Sequence, residues 1–291
     1  MKVFLQELCK GNWEYVFRLP KLRKKMFPIM NFYRPHLDTL EIQVCSHCNL
    51  NCKGCASVSP LAEEAFVDVC QLEKDVKELA KKLTIRAISI DGGEALLYPK
   101  IDKILYVVRN AFSKTQLVLL SNGLLIFKMP DSFWRALKEC DVWFSVTIYP
   151  PFKNKAPEMF QYVRTKGVKV YKDDGYHDGY DMNKDWRKCL YSPNKTYGTA
   201  EEQYKKCDMK VCVLLYESHL YHCPMFYWKY YNRYFHEEHE LIKGCNIYQH
   251  SGWELMKAMT SPMPQCAHCK LPWEKDTWDY SKREKSEWVE E

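Results

Sequence analysis

The sequence lacks an N-terminal apolar stretch ending in a small-residue cleavage site, and no run approaches the roughly twenty apolar residues of a membrane span. A chain that is not exported keeps its thiols reduced, so a cytoplasmic location is expected. Charge of one sign is not concentrated either. The net charge of +6 is spread along the chain, apart from Lys21, Arg23, Lys24 and Lys25. Four basic residues together mark a solvated face, and neither nucleic acid nor an anionic membrane is an expected partner. Residues 1–39 mix aromatic and basic residues and are broken by Pro20, Pro28 and Pro35. They read as a lead-in, too short for a separate peptide-binding domain.

Cysteine is what the chain has in excess, 14 in 291 residues. Hydrophobic content of 46% and charged content of 27% are those of an ordinary globular protein long enough to bury a full core. In a reducing compartment, clustered cysteines argue for metal rather than disulfides. The stretch 48–55, CNLNCKGC, spaces three of them as Cys48-x3-Cys52-x2-Cys55. It follows residues 40–44, whose apolar side chains alternate as in a strand. Three thiolates on a short loop can hold three corners of a [4Fe–4S] cube and leave one iron open to an outside molecule. Zinc is the rival, since Cys45, Cys48, Cys52 and Cys55, with His47, contain enough ligands for a four-coordinate site. Cys45 lies outside the three-cysteine spacing and reads as a strand-end packing thiol.

From residue 40 the pattern repeats. The periodicity predicts a helix over 71–83, with Leu72, Val76, Leu79 and Ala80 on one face, then a strand over 86–90 ending in Asp91-Gly92-Gly93-Glu94. A helix over 100–112 precedes a strand over 116–120 that ends in Ser121-Asn122-Gly123. A helix over 131–139, a strand over 142–148, a helix over 156–166 and a short strand over 168–171 follow. Strands alternating with helices imply an α/β fold of parallel units with right-handed crossovers. Chemistry in such folds gathers at the C-terminal strand ends, so the cysteine loop, Gly-Gly-Glu and Ser-Asn-Gly are expected to meet on one face.

The three-cysteine loop resembles that of the radical S-adenosylmethionine (radical SAM) superfamily, and the resemblance covers roughly residues 38–190. It implies a partial (β/α)6 barrel whose open iron chelates the amino and carboxylate groups of SAM. It also implies that Gly92, Gly93 and Glu94 are the superfamily's GGE motif, whose backbone contacts the SAM amino group. Ser121 and Asn122 stand where the family contacts the methionyl or ribose groups, and Ser145 is placed to do likewise. Adjacent glycines permit close backbone approach, although Gly-Gly and Ser-Asn-Gly are also ordinary turns. Gly54 departs from the pattern, because many members carry an aromatic residue there beside the adenine. A low-potential electron donor such as flavodoxin or ferredoxin is implied as a partner.

A second set of thiols follows: Cys207, Cys212, Cys223, Cys266 and Cys269. Residues 213–216 and 219–222 read as a hairpin around Glu217-Ser218. Together these resemble the Twitch domain, half of the larger SPASM domain. That implies an auxiliary [4Fe–4S] cluster on Cys207, Cys223, Cys266 and Cys269, with Cys212 able to replace Cys207. A four-thiolate zinc site stays open as the alternative. Cys189 and Cys245 read as packing thiols. The segment 173–206, with Asp173, Asp174, Tyr176, His177, Asp178, Tyr180 and Asp181, is either a cap over a barrel mouth or a surface connector.

The expected organisation is a lead-in (1–39), a barrel (40–190), a small C-terminal β-hairpin appendage that binds the auxiliary cluster (191–270) and a charged tail (271–291) that folds along the surface or frays. The resemblance implies reductive cleavage of SAM to a 5′-deoxyadenosyl radical and hydrogen-atom abstraction from substrate. CNLNCKGC followed by Ser59-Pro60-Leu61-Ala62-Glu63-Glu64 also resembles uncharacterised radical SAM proteins of bacterial surface-polysaccharide gene clusters. A carbohydrate-type substrate, oxidised or epimerised at a carbinol carbon, is therefore expected. A peptide substrate is the alternative within the superfamily, and a non-catalytic zinc- or cluster-binding module is the alternative outside it.

Overall fold

In the computed structural model the described residues are 34–171, 186–188, 191–192, 195–223 and 244–290. The basic cluster and most of the lead-in, the acidic–aromatic run 173–181 and Cys189 lie outside them. His36–Glu291 forms one compact unit and Met1–Pro35 another.

Five strands alternating with four helices open the larger unit. They are β1 (His36–Cys45), α1 (Val69–Lys82), β2 (Thr84–Gly92), α2 (Ile101–Ala111), β3 (Gln116–Ser121), α3 (Asp131–Glu139), β4 (Val142–Val146), α4 (Ala156–Thr165) and β5 (Lys169–Val170). After them come β6 (Arg187–Lys188), α5 (Ala200–Lys206), the hairpin β7 (Val213–Tyr216) and β8 (His219–His222), β9 (Cys245–Asn246), α6 (Gly252–Met259) and β10 (Glu274–Lys275). The eight-stranded sheet runs β5-β4-β3-β2-β1-β7-β8-β9, and β6 pairs with β10 apart from it. Neighbours from β1 to β5 are parallel, as the helical crossovers require. The result is the α/β, partial-barrel class expected from the alternation. No helix among the described residues is long and apolar enough to cross a membrane.

The helices form because each presents one apolar face. In α1 this is Leu72, Val76 and Leu79; the Asp68 side chain caps its start by accepting from Gln71 N, and Lys81 and Lys82 sit in its last turn. These residues pack with Ile104, Leu105 and Val108 of α2 against Leu40, Ile42, Ile88, Ile90, Leu117 and Phe144 of the strands. Each such aliphatic side chain contributes about 1.5–3 kcal/mol on burial.

Alternation then sends the intervening residues to the other face. Glu41, Gln43, Ser89 and Asp91 lie there, with Glu41 beside Ser89 and Gln43 beside Asp91 in the β1–β2 register. Lower on that face, Leu37 and Ile85 are paired and buried.

The strands extend further than the sequence pattern shows, most of all in β1 and β2. β1 begins at His36, because His36 to Thr39 keep parallel partners on β2 beyond the alternating run. β2 runs on to Gly92, which pairs with Cys45 after a bulge in β1. By contrast, β4 ends at Val146 rather than at 148, since its pairing with β3 stops at Ser121↔Val146.

The C-terminal hairpin is joined to the sheet. β7 runs parallel to β1, with Glu41↔Leu214 and Ile42↔Leu215. Its turn places Glu217 and Ser218 at φ 43° and 64°, the twist that suits a two-residue hairpin. Ser218 Oγ and Tyr248 Oη donate to the buried Asp75 carboxylate of α1 at 3.0 and 2.8 Å, fixing the hairpin to the first helix.

Candidate functional site

Cys48, Cys52 and Cys55 stand on the loop that leaves the C-terminal end of β1. Burial pushes the Cys48 thiol up to about 12. Burial raises Cys52 and Cys55 as well, and the neighbouring thiols add to the shift at Cys48 and Cys52. Three close, desolvated thiols do not ionise together unless a cation takes their charge, which is the demand that iron meets.

The donors around the sulfurs fit that demand. Leu50 N donates to Cys48 Sγ at 3.3 Å, and Asn122 Nδ2 reaches the same sulfur at 3.6 Å. Ser59 Oγ and Trp278 Nε1 are buried without a well-aimed partner. They lie beside Cys55 and Cys52, where each favours the thiolate. Gly54 has φ 64°, so a glycine there spares the strain an aromatic residue would meet between two cysteines. Among the described residues, no three His, Cys, Asp or Glu side chains converge on the point a single metal ion would occupy.

Glu94 organises the neighbouring strand ends. It is 2% exposed. Its Oε1 accepts from Leu96 N at 3.0 Å and from Ser121 Oγ at 2.7 Å, and its Oε2 accepts from Asn122 N at 2.8 Å. Burial pushes the carboxyl up while these three donors pull it down. Asn122 then reaches across to the cysteine loop, donating to Asn49 Oδ1 at 2.8 Å. The ends of β2 and β3 and the loop after β1 thus form one bonded unit, with the Glu94 side chain occupied inside it.

The glycine pair serves the same unit. A Cβ on Gly92 would lie 2.4 Å from Cys45 O, and one on Gly93 only 2.1 Å from His47 O. Gly93 N donates to Cys45 O at 2.7 Å, and Glu94 N to His47 O at 3.1 Å. The close approach that needs these glycines is to the backbone leading into the cysteine loop. Ser145 lies apart from this bonding, 1% exposed on β4 and paired with Leu120. Cys45 is buried in the helix-side core with its sulfur 3.3 Å from His47 Nδ1.

Two contributions had no signal in the sequence. One is the tail, which neither frays nor merely follows the surface, because it straps the cysteine loop. Lys53 N donates to Asp279 O at 2.9 Å, Ser281 N to Asn51 O at 2.9 Å, and Asn51 Nδ2 to Ser281 O at 2.7 Å. Trp288 is buried, and its Nε1 donates to Cys55 O at 2.8 Å. The other is an aromatic wall: Trp278 packs with Leu50 and Cys52, and Tyr149 and Trp186 join it.

The second set of thiols gathers in part. Cys212 and Cys223 are neighbours, with Cys223 N donating to Cys212 O at 3.1 Å and the Cys223 thiol adding to the upward shift at Cys212. Cys207, at the end of α5, feels the charge of Cys266 on the short helix Pro264–His268. Cys223 and Cys269 share an apolar cluster with Cys55 of the first loop, through Val58, Tyr191 and Trp288. Cys212 faces the barrel side, against the Glu41 carboxylate and near Asp91. Burial and the Glu41 charge push Asp91 well above the ordinary carboxylate range.

Residues 42–165, from β1 to the end of α4, match the family described as "4Fe-4S single cluster domain". GTP 3′,8-cyclase of Chlorobaculum tepidum is 28% identical over 100 residues, 34% of this chain and 30% of the cyclase. The chain thus spans less than a third of that relative's length. Among solved structures, BtrN in complex with AdoMet and 2-DOIA is similar with a TM-score of 0.50 and 16% identity, covering 81% of this chain and 94% of BtrN. SuiB of Streptococcus suis bound to S-adenosylmethionine gives a TM-score of 0.41 and 16% identity over 58% of this chain and 44% of its own.

Proposed function

We propose that this chain, whose cysteine loop, fold and 4Fe-4S family match support the radical SAM superfamily, is an enzyme acting on a carbohydrate-type substrate. Cys48, Cys52 and Cys55 would hold a [4Fe–4S] cube and leave its fourth iron for SAM. When bound, these two groups would supply reductive cleavage of the sulfonium and the hydrogen-atom abstraction that starts oxidation or epimerisation at a carbinol carbon. A low-potential donor such as flavodoxin or ferredoxin would provide the electron.

The protein's share is placement and exclusion. Asn122, held by Glu94, orients the strand-end backbone beside the sulfurs. Gly92, Gly93 and Ser121 complete that surface and would border the methionyl end of SAM, while Ser145, paired with Leu120, would reach it from the opposite face of the sheet. Trp278, Trp288 and Leu50 keep water from the loop, as a reactive radical requires. Cys207 or Cys212, with Cys223, Cys266 and Cys269, would hold an auxiliary cluster, which would supply a second one-electron centre. The domain limits 40–190 and 191–270, and a cytoplasmic location, belong to the same proposal.

One observation carries this reading. Three desolvated thiols and the Glu94-anchored ends of β2 and β3 meet at one edge of a parallel sheet. The test is anaerobic incubation of the reconstituted full chain with SAM, dithionite and panels of sugars and peptides, with product masses recorded. A loss of two mass units or an exchange-labelled epimer from a sugar supports the proposal. Conversion confined to peptides contradicts the substrate class, and absence of any 5′-deoxyadenosine contradicts the chemistry.

A further inference from the structure

The face of the sheet turned away from the helices carries a polar group that none of the interactions above uses. Gln43 is 5% exposed, and its Nε2 has no hydrogen-bond partner. A buried amide donor left unmatched costs about 1–3 kcal/mol, so its presence in a strand of the sheet calls for a reason. Its place supplies one. Gln43 is paired in register with Asp91 on β2, and Glu41, two residues earlier on β1, is paired with Ser89. The intervening Ile42 and Ile90 point into the helix-covered core, so all four polar residues share the opposite face.

That face leads to the cysteine loop. β1 continues from Gln43 into Cys48, and β2 continues from Asp91 into Gly92, Gly93 and Glu94. Below the polar residues, Leu37 and Ile85 fill the same face with apolar side chains. Glu41 and Asp91 keep partial exposure, while Gln43, paired with Asp91, is buried. A group entering from the thiol side would meet the carboxyls and the amide before reaching the apolar floor.

The chemistry of the three side chains narrows the ligand. The unmatched Gln43 Nε2 donates and needs an acceptor, whereas the Glu41 carboxylate, beside Cys212, accepts, and Asp91, held well above the ordinary carboxylate range, is not a second full charge next to it. An ammonium alone would serve the carboxylates and leave the amide unmatched. A carboxylate ligand would serve the amide and be repelled by the charge on Glu41. A hydroxyl group does both, accepting from Gln43 while donating its own proton to a carboxyl oxygen. We propose that Gln43, Asp91 and Glu41 form a subsite for the hydroxyl groups of a polyol, on the side of the sheet that faces the three-cysteine loop. The inference rests on the carbohydrate reading above and gives it residues.

Saturation-transfer NMR on the anaerobically reconstituted full chain tests it, with myo-inositol, D-glucose and D-glucosamine as probes and permethylated myo-inositol as a probe without hydroxyls. The expected result is saturable binding of hydroxyl-bearing probes and none of the permethylated one. Gln43→Leu should weaken that binding tenfold or more with iron content at the wild-type level. Asp91→Asn, which preserves size, provides the second measurement where Gln43→Leu fails to fold, and the same tenfold loss is expected. Equal binding of the permethylated probe, no binding of any probe by the wild type, or full affinity in the folded variants would overturn the subsite. SAM cleavage by the wild type without a probe is scored separately. Its failure removes the superfamily chemistry whatever the probes do, while cleavage without probe binding removes this inference alone.

Discussion

Single residues decide how closely the three strand ends approach one another, and Gly93 and Glu94 do most of it. The Gly93 Cβ position is filled by the His47 carbonyl, so Gly93→Ala should push the cysteine loop off β2. Reconstituted Gly93→Ala is expected to hold at most half the wild-type iron by colorimetric assay. Gly167→Ala is the stability comparison, since its φ of 68° makes it strained although nothing lies within 4 Å of the added Cβ. It should lose about 1 kcal/mol with its iron unchanged. Glu94→Ala strands three donors in the interior and should lower unfolding stability by about 2–3 kcal/mol in a urea titration.

The sequence shows the thiols and the Gly-Gly-Glu run plainly, because both are local patterns. It does not show that the Glu94 carboxylate is spent on Ser121 and Asn122. Those donors lie 27 and 28 residues away and meet it only through the β2–β3 register.

At the level of elements, the repeats from β1 to α4 were legible because each helix has a single apolar face and each strand ends in a turn signal. The hairpin was legible for the same reason. Two features were not. The parallel docking of β7 on β1 joins residues more than 170 apart, and no local period encodes it. The tail reads as charged and loose because its order comes from backbone bonds to Asn51 and Lys53 and from two buried tryptophans. A chain ending at Lys275 would lose Trp278 and Trp288 from the cysteine loop. Its 410 nm absorbance, the band of a [4Fe–4S] centre, should bleach several-fold faster in air than that of the full chain. An unchanged rate would mean that the strap does not shield the loop. Trp288→Phe keeps most of the packing and removes only the bond to Cys55 O, so it should cost about 1 kcal/mol and bleach at an intermediate rate.

Over the whole molecule, the two sets of cysteines converge from opposite ends of the sequence. Cys55 of the first loop and Cys223 and Cys269 of the second set contribute to one apolar cluster, closed by Val58, Tyr191 and Trp288. The proposal of two cubes calls for about eight irons and eight sulfides per chain after anaerobic reconstitution. Changing Cys266 and Cys269 to Ala should bring both to about four and leave SAM cleavage in place, because the first loop keeps all three thiols. Four irons in the unaltered protein would remove the auxiliary cluster and leave the first one standing.

The most direct test of the account is 5′-deoxyadenosine production from SAM under dithionite, comparing the wild type with the Cys48→Ala, Cys52→Ala, Cys55→Ala triple variant. Both proteins are reconstituted anaerobically and quantified by chromatography. The account predicts 5′-deoxyadenosine from the wild type and a drop to the protein-free background in the triple variant, which should still carry the iron of the second set. Production by the triple variant at the wild-type level, or a wild type holding one zinc with no acid-labile sulfide and making none, would contradict it.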